Sequence, residues 1–271
     1  MPLFVVVTCI GVCLVLMPDS SESPPVAIIG AGAMGSALAR ALVANGHRVE
    51  AVLSRTGDDA QALADRVGAP IADSSWDALP PTVRLVWICV PDDAIASVAG
   101  ALAEIDHPWG KTIVAHTSGA QTAAVLAPLG QQGAATMSFH PLQTFTEDTA
   151  PDVFDGIVVG LEGDDRAVAA GEMLAQSLGA RPVRLSSEDK ALYHAAATLT
   201  SNGLVALLAV VEELFAASGN ATGSSDMDLD AVGPLLQQTL ENVQRKRPEG
   251  ALTGPVARGD EETLKAHLEA L

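Results

Sequence analysis

Val26-Ala-Ile-Ile-Gly30-Ala-Gly32-Ala-Met-Gly35 is the stretch whose reading decides the fold. Four apolar residues with the look of a buried strand run into a G-x-G-x-x-G turn, and an alanine-rich amphipathic stretch opens directly behind it. Gly30 permits the tight turn, Gly32 lets the backbone approach a pyrophosphate with no Cβ in the way, and Gly35 lets the helix pack close to the strand. The helix start adds free N–H groups and the positive end of a dipole, both suited to phosphate. Gly30, Ala31, Gly32, Ala33, Met34 and Gly35 are therefore the expected dinucleotide-binding turn.

Outward from this turn, short β-branched runs alternate with alanine-rich stretches. Strands are expected at 26–30, 48–54, 85–90, 112–116, 134–139, 157–161 and 182–185, and helices at 34–44, 58–67, 94–105, 122–126 and 165–178. Gly46, Gly68 and Gly179 stand where helices should stop. The alternation predicts an α/β fold, a doubly wound and mostly parallel sheet covered on both faces, over residues 25–186. After Ser187 the pattern changes: 188–217 reads as one long helix, a polar loop follows at 218–226, and further helical stretches lie near 228–245 and 260–270. Residues 187–271 thus read as an all-helical substrate or dimerisation domain. Residues 1–24 read as an apolar extension and linker. Their apolar run, 3–17, is shorter than the about 20 residues of a membrane span. It also lacks the basic flank of a signal peptide, since no Lys or Arg precedes Arg40. A loosely held appendage is expected there, with a signal or anchor as the alternative.

With 48% hydrophobic residues the chain has ample material for a core. The 33 acidic against 15 basic residues give a net charge of -18, which repels phosphate backbones and anionic membranes, so no nucleic-acid partner is expected. An anionic ligand would need a local exception. Three cysteines, Cys9, Cys13 and Cys89, make no disulfide framework, and no Cys/His cluster has zinc-site spacing. A reducing, cytoplasmic setting follows, with membrane association through the N-terminal run as the minor alternative.

The second strand ends in Ser54-Arg55-Thr56, about 20 residues past the glycine turn, where an NAD site would place an acid on the ribose diol. Glu50 lies too early to serve. Two hydroxyls and a guanidinium suit a 2′-phosphate instead, so NADP is expected over NAD. Val90-Pro91-Asp92-Asp93 follows the next strand of the series, at the carboxyl edge where such sheets bind ligands. Val90 and Pro91 are expected against the cofactor ribose with Asp92 beside them. Alternatively, Asp92 or Asp93 caps a helix starting at Ala94.

Two further strand ends, His116-Thr-Ser118-Gly119 and Ser138-Phe-His140-Pro141, should face the same crevice. Ser118 and His116 can hydrogen-bond a carboxamide or a substrate carbonyl, and His140 can steer substrate or exchange a proton. The plainer alternatives are a His116 bonded to a nearby carbonyl and a His140-Pro141 turn. Downstream, at about 100° per residue, Lys190, His194 and Ser201 share one face of the long helix, flanked by Thr198 and Asn202. Lys190 is the expected proton donor to an alkoxide, with His194 and Asn202 holding the oxygen; a salt bridge between domains is the alternative for Lys190. Asp260 reads as the N-cap of the last helix, ahead of Glu261 and Glu262. Thr253 and Arg258 suit a substrate carboxylate or a dimer contact equally.

With GAGAMG, VPDD, HTSGA, SFHPLQTF, DKALYHAAA…SN and LTGPVARGD in hand, residues 25–271 resemble a family of Rossmann-like NADP-binding oxidoreductases whose helical C-terminal half is a domain of unknown function. That family looks related to ketopantoate reductase, pyrroline-5-carboxylate reductase and the deazaflavin-dependent NADP reductases. The resemblance implies a Rossmann-type nucleotide domain, a helical domain that often dimerises, and a site between them. Many relatives carry Lys-x-x-x-Asn on the corresponding helix, and here Lys190 is followed by His194 in the asparagine position. The expectation is an NADP-dependent oxidoreductase moving hydride between nicotinamide and a small carbonyl or imine compound. The alternative is a non-catalytic NADP(H)-binding sensor that recruits a partner.

Overall fold

The computed structural model describes residues 23–219 and 229–271, and all but the last two residues of the expected N-terminal extension, with most of the polar loop at 218–226, lie outside them. The chain divides into two compact units, the first ending at Ala197 and the second beginning at Thr198.

The first unit is built on β1 (Val26–Ile29), β2 (Val49–Leu53), β3 (Ile71–Asp73), β4 (Leu85–Ile88), β5 (Ile113–His116), β6 (Ala135–Pro141), β7 (Val158–Gly163) and β8 (Arg181–Arg184). They form one sheet in the order β3-β2-β1-β4-β5-β6-β7-β8. β1 pairs in parallel with both β2 and β4, and Ile28 stands level with Val52 and Trp87. The apolar runs fit because both faces are covered and side chains alternate between them. Val26 and Ile28 enter one core with α1 (Ala33–Ala44), α2 (Gly57–Val67) and α5 (Asp165–Ser177), where Trp87 meets Phe139 edge-on at 4.8 Å. Ala27 and Ile29 enter the other, with α3 (Asp92–Ala103) and α4 (Ala127–Gln131).

Four details differ from the sequence reading. β3 was not anticipated, because Ile-Ala-Asp is three residues long and only partly buried. β7 runs antiparallel to β6, a direction that a strand's own composition does not encode. The helix expected at 122–126 is a 3-10 turn, Ala123–Leu126, continuing into α4, whose first turn contains Pro128. α3 begins at Asp92 with Pro91 at the N-cap position, so neither Asp92 nor Asp93 caps a helix at Ala94; both sit in its first turn.

The long helix expected over 188–217 appears as α6 (Lys190–Thr198), a π-helical segment (Leu199–Gly203) and α7 (Leu204–Gly219). The wider π turn breaks the 100° arithmetic past residue 198. Lys190–Ala217 is long and apolar enough to cross a membrane by length and composition. In the second unit, α7 leaves Leu204, Val205, Leu207, Val210 and Leu214 exposed. α8 (Leu229–Ala251) breaks at Arg247, where φ is +63°, because Pro248 disfavours the α conformation in the residue before it. After α9 (Gly254–Arg258), Asp260 caps α10 (Glu261–Ala270) by accepting from the Thr263 N–H, as its sequence position suggested.

Candidate active site

The glycine turn closes β1 against its neighbours. Gly30 has φ +102°, and its N–H donates to the Leu53 carbonyl at 2.8 Å. A Cβ on Gly30 would collide with the Cys89 carbonyl, and one on Gly35 with the Gly30 carbonyl. A Cβ on Gly32 would meet nothing within 4 Å, so the protein's own packing does not require that glycine. The open space there is what a pyrophosphate would fill. Ser36, which sequence reasoning passed over, donates to the Ala31 carbonyl at 3.0 Å and ties the turn to α1. In a chain of net charge -18, the first turn of α1 carries no acid, whereas those of α2 and α3 carry two each. That is the local exception an anionic cofactor needs.

At the end of β2, Ser54 is buried and its N–H donates to the Asp73 carbonyl, while Arg55 is exposed. Thr56 is the N-cap residue of α2, and its hydroxyl donates to Asp59 and accepts no N–H of the helix.

Beside the glycine turn lies a cleft of about 240 Å³. Met34, Val90 and Asp92 line it together with Thr117, Ser118 and His140. His116, fully buried at the end of β5, accepts from the Ser118 N–H through Nδ1 and donates from Nε2 to the Thr122 carbonyl, both at 3.2 Å. Burial holds its pKa down to about 4. It stays neutral and shapes the loop, the plainer of its two expected roles. Ser118 Oγ accepts from the N–H groups of Ala120 (3.2 Å) and Gln121 (3.0 Å), leaving its hydroxyl hydrogen to donate.

Lys190 stands one layer behind the cleft, 1% exposed. Its ammonium donates to Ser138 Oγ at 2.7 Å and to the Ser118 carbonyl at 3.1 Å, and Ser138 in turn donates to that carbonyl at 3.2 Å. Burial lowers the Lys190 pKa to about 8 against the opposing pull of the Glu162 and Asp92 carboxylates. Glu162, also buried, accepts from the Ala123 N–H and from Ser187 Oγ, both at 2.7 Å, and so anchors the turn that leads into α6.

Tyr193, three residues after Lys190 and the single tyrosine in the chain, places its hydroxyl 3.0 Å from His140 Nδ1. The two rings meet edge-on, and the His194 ring stands 5.8 Å from that of His140 on another side. Sequence reasoning missed Tyr193, although its i+3 spacing from Lys190 put it on nearly the same helical face. Two glycines make room for this cluster. A Cβ on Gly119 would collide with the His194 ring and lie 2.7 Å from His140 Nε2, and one on Gly160 would lie 3.0 Å from the Tyr193 hydroxyl. Asn202 falls in the second unit, inside the π segment. Thr253 and Arg258 belong to that unit too, at the two ends of α9.

Residues 20–141 match a Rossmann-like domain, and residues 157–271 match DUF2520, a domain of unknown function. The chain joins a Rossmann-like domain to a DUF2520 domain. No curated protein matches it. Among solved structures, it is similar to a candidate NADP oxidoreductase from Bacteroides fragilis, with 28% identity over 92% of both chains and a TM-score of 0.76. A Thermotoga maritima protein shows 28% identity over 89% of this chain and 87% of its own, with a TM-score of 0.68. An imine reductase from a Pseudomonas species, 22% identical over 92% of this chain and 88% of its own, shares the fold at a TM-score of 0.61.

The limits of the two matches bear on the site. The Rossmann-like match contains Ser118 and His140, while the DUF2520 match contains Glu162, Lys190, Tyr193 and His194. By contacts all six belong to the first unit. The start of DUF2520 therefore completes the sheet with β7 and β8 and sets Lys190 and Tyr193 against Ser118, Ser138 and His140 before the second unit begins.

Proposed function

We propose that this protein is an NADP-dependent oxidoreductase that moves hydride between nicotinamide and a small carbonyl or imine compound. The observation that carries the reading is the cleft itself: Met34 of the glycine turn shares about 240 Å³ of open cleft with Ser118 and His140, and the turn has unfilled space at Gly32. The likeness to the Bacteroides fragilis protein supports a nicotinamide cofactor. Exposed Arg55 beside Ser54 supports the phosphorylated form, because a guanidinium can pair with a 2′-phosphate and stack on adenine.

Gly30 to Gly35 and the first turn of α1 would hold the pyrophosphate, Ser54, Arg55 and Thr56 the 2′-phosphate, and Val90, Pro91 and Asp92 the nicotinamide side. The bound cofactor supplies or accepts the hydride. On the protein side, Ser118 and His140 face the reacting oxygen or nitrogen. Lys190 sets a positive charge behind them, where a developing alkoxide gains most from it. His194 assists in holding the substrate. We further propose that the enzyme is cytoplasmic and pairs with a second copy through the exposed apolar side chains of α7, with sedimentation equilibrium as the check on the pairing. The functional reading is tested by titrating NADPH and NADH while following nicotinamide fluorescence, then assaying keto compounds and imines. Enhancement with NADPH and turnover of one class are expected; the absence of any fluorescence change at millimolar cofactor overturns the reading.

A further inference from the structure

The Tyr193 hydroxyl has one hydrogen and two acceptors near it, His140 Nδ1 at 3.0 Å and the His140 carbonyl oxygen at 3.5 Å. The nearer contact is within normal hydrogen-bond length, and the farther is at its limit. With the phenol donating to Nδ1, the imidazole's own hydrogen must sit on Nε2. Among the described residues no hydrogen bond takes up that second nitrogen: His140 meets the phenol on Nδ1 and the ring edges of Tyr193 and His194, and it lines the cleft.

The arrangement is cleared for by backbone. On β7, Gly160 stands level with His140 of β6, and its missing Cβ makes space for the Tyr193 hydroxyl. Gly119 makes the matching space on the other side, where a Cβ would press on Nε2 itself at 2.7 Å. A side chain at either position would displace the phenol or cover the nitrogen.

We infer that Tyr193 is a positioning residue that fixes His140 as a neutral donor with its hydrogen on Nε2, so that the cleft receives an uncharged hydrogen-bond acceptor, a carbonyl oxygen, and rejects a protonated iminium. This deepens the function proposed above and rests on it for the identity of the bound atom. The Ser118 hydroxyl, whose oxygen already accepts two backbone N–H groups, offers a second donor from the same wall. Two donors converging on one cleft suit an oxygen that becomes more negative during hydride arrival. They offer a cationic N–H no acceptor, which leaves Asp92 as the one carboxylate among the described residues of the lining.

The charge around the ring agrees. Burial, with the Lys190 ammonium and His194 adding to it, holds the His140 pKa down to about 4, against the weaker pull of Asp92 on α3; His116 on β5 also faces it. Burial pushes the Tyr193 phenol up to about 12, so it keeps its hydrogen. At neutral pH the pair is therefore uncharged and its polarity is fixed.

The experiment is a two-bond proton–nitrogen spectrum of the full chain labelled with ¹⁵N-histidine, His140 being assigned by its loss in His140→Gln. Between pH 6 and 8 the wild-type spectrum should show a bare Nδ1 and a protonated Nε2. Tyr193→Phe should move the ring to an exchanging mixture of tautomers while NADPH affinity stays within about twofold. A wild-type Nδ1–H, or a tautomer unmoved in Tyr193→Phe, overturns the positioning role. The acceptor assignment is read in the same spectrum, with NADP bound, by adding cyclohexanone or piperidinium. The ketone should shift the Nε2–H signal and the cation should not; a shift by the cation, or by neither, overturns it. The tautomer is measured without cofactor, so a chain that fails to bind NADPH would defeat the proposed function and leave the Tyr193 result standing. Where turnover is found, Tyr193→Phe should lower kcat roughly 10-fold with KM little changed.

Discussion

Lys190 and Ser138 are joined by a 2.7 Å hydrogen bond that ties the first turn of α6 to β6, and the same ammonium reaches the Ser118 carbonyl. The cation is thereby fixed behind the cleft, at 1% exposure, instead of reaching into it. With its pKa lowered to about 8, Lys190 is charged below that pH and neutral above it. The rate of carbonyl reduction should be level below pH 8 and fall above it. In Lys190→Met that alkaline limb should vanish and kcat should drop on the order of 100-fold, with NADPH binding kept. A pH–rate profile of both proteins decides it, and a limb that survives in the variant would remove Lys190 from the chemistry.

Two glycines of the turn, Gly30 and Gly32, should separate stability from binding. Gly30→Ala forces a side chain into a left-handed conformation and against the Cys89 carbonyl, so thermal unfolding should show a loss on the order of 1–3 kcal/mol. Gly32→Ala meets no protein atom within 4 Å and should leave the Tm close to wild type, yet raise the Kd for NADPH at least about 10-fold. Equal NADPH affinity in Gly32→Ala would mean that no pyrophosphate lies there.

Arg55→Ala should discriminate between the two nicotinamide cofactors. Losing a charge-assisted contact to a 2′-phosphate is worth about 1.4 kcal/mol or more, a rise in Kd of roughly 10-fold for NADPH and none for NADH. Parallel fluorescence titrations measure this directly. Equal losses for both cofactors would place Arg55 on the adenine alone.

Acid should weaken the fold through its buried histidines. His107, His116 and His140 are each held down to about 4, mainly by burial. The unfolded chain takes up these protons near pH 6.5 and the folded chain refuses them until about 4. Their contribution to stability is therefore intact above pH 6.5 and is lost progressively down to about 4. The Tm should fall across this window, and His107→Gln, distant from the cleft, should flatten the fall by roughly a third. A Tm as steep in the variant as in the wild type would assign the acid sensitivity to other groups.

The nucleotide half was legible because its constraints are local. The turn from Gly30 to Gly35, the stop at Gly68 and the strand ends at His116 and His140 each depend on residues within one element or its flanks. What stayed hidden depends on distant partners. The tie between Tyr193 and His140 spans 53 residues and is permitted by Gly119 and Gly160, neither of which is near Tyr193 in the sequence. The burial of Lys190 follows from Ser118 and Ser138, on two other segments. Asn202 was assigned to a face by counting at a fixed angle, and the π segment changes that angle.

The reversal at β7 has a further consequence. β6 carries His140 near its carboxyl end; β7 then runs the other way, and β8 follows it in parallel. The chain leaves the sheet level with Leu161 and begins α6 beside Ser138, well before the strand ends. From that low entry the helix climbs toward the rim, passing Lys190 at Ser138 and then Tyr193 at His140. A strand pair laid down in the common direction would have released the chain at the rim, with the helix heading away. The turned pair works as a ramp, and each side chain's height on the helix is set by where the ramp lets it off.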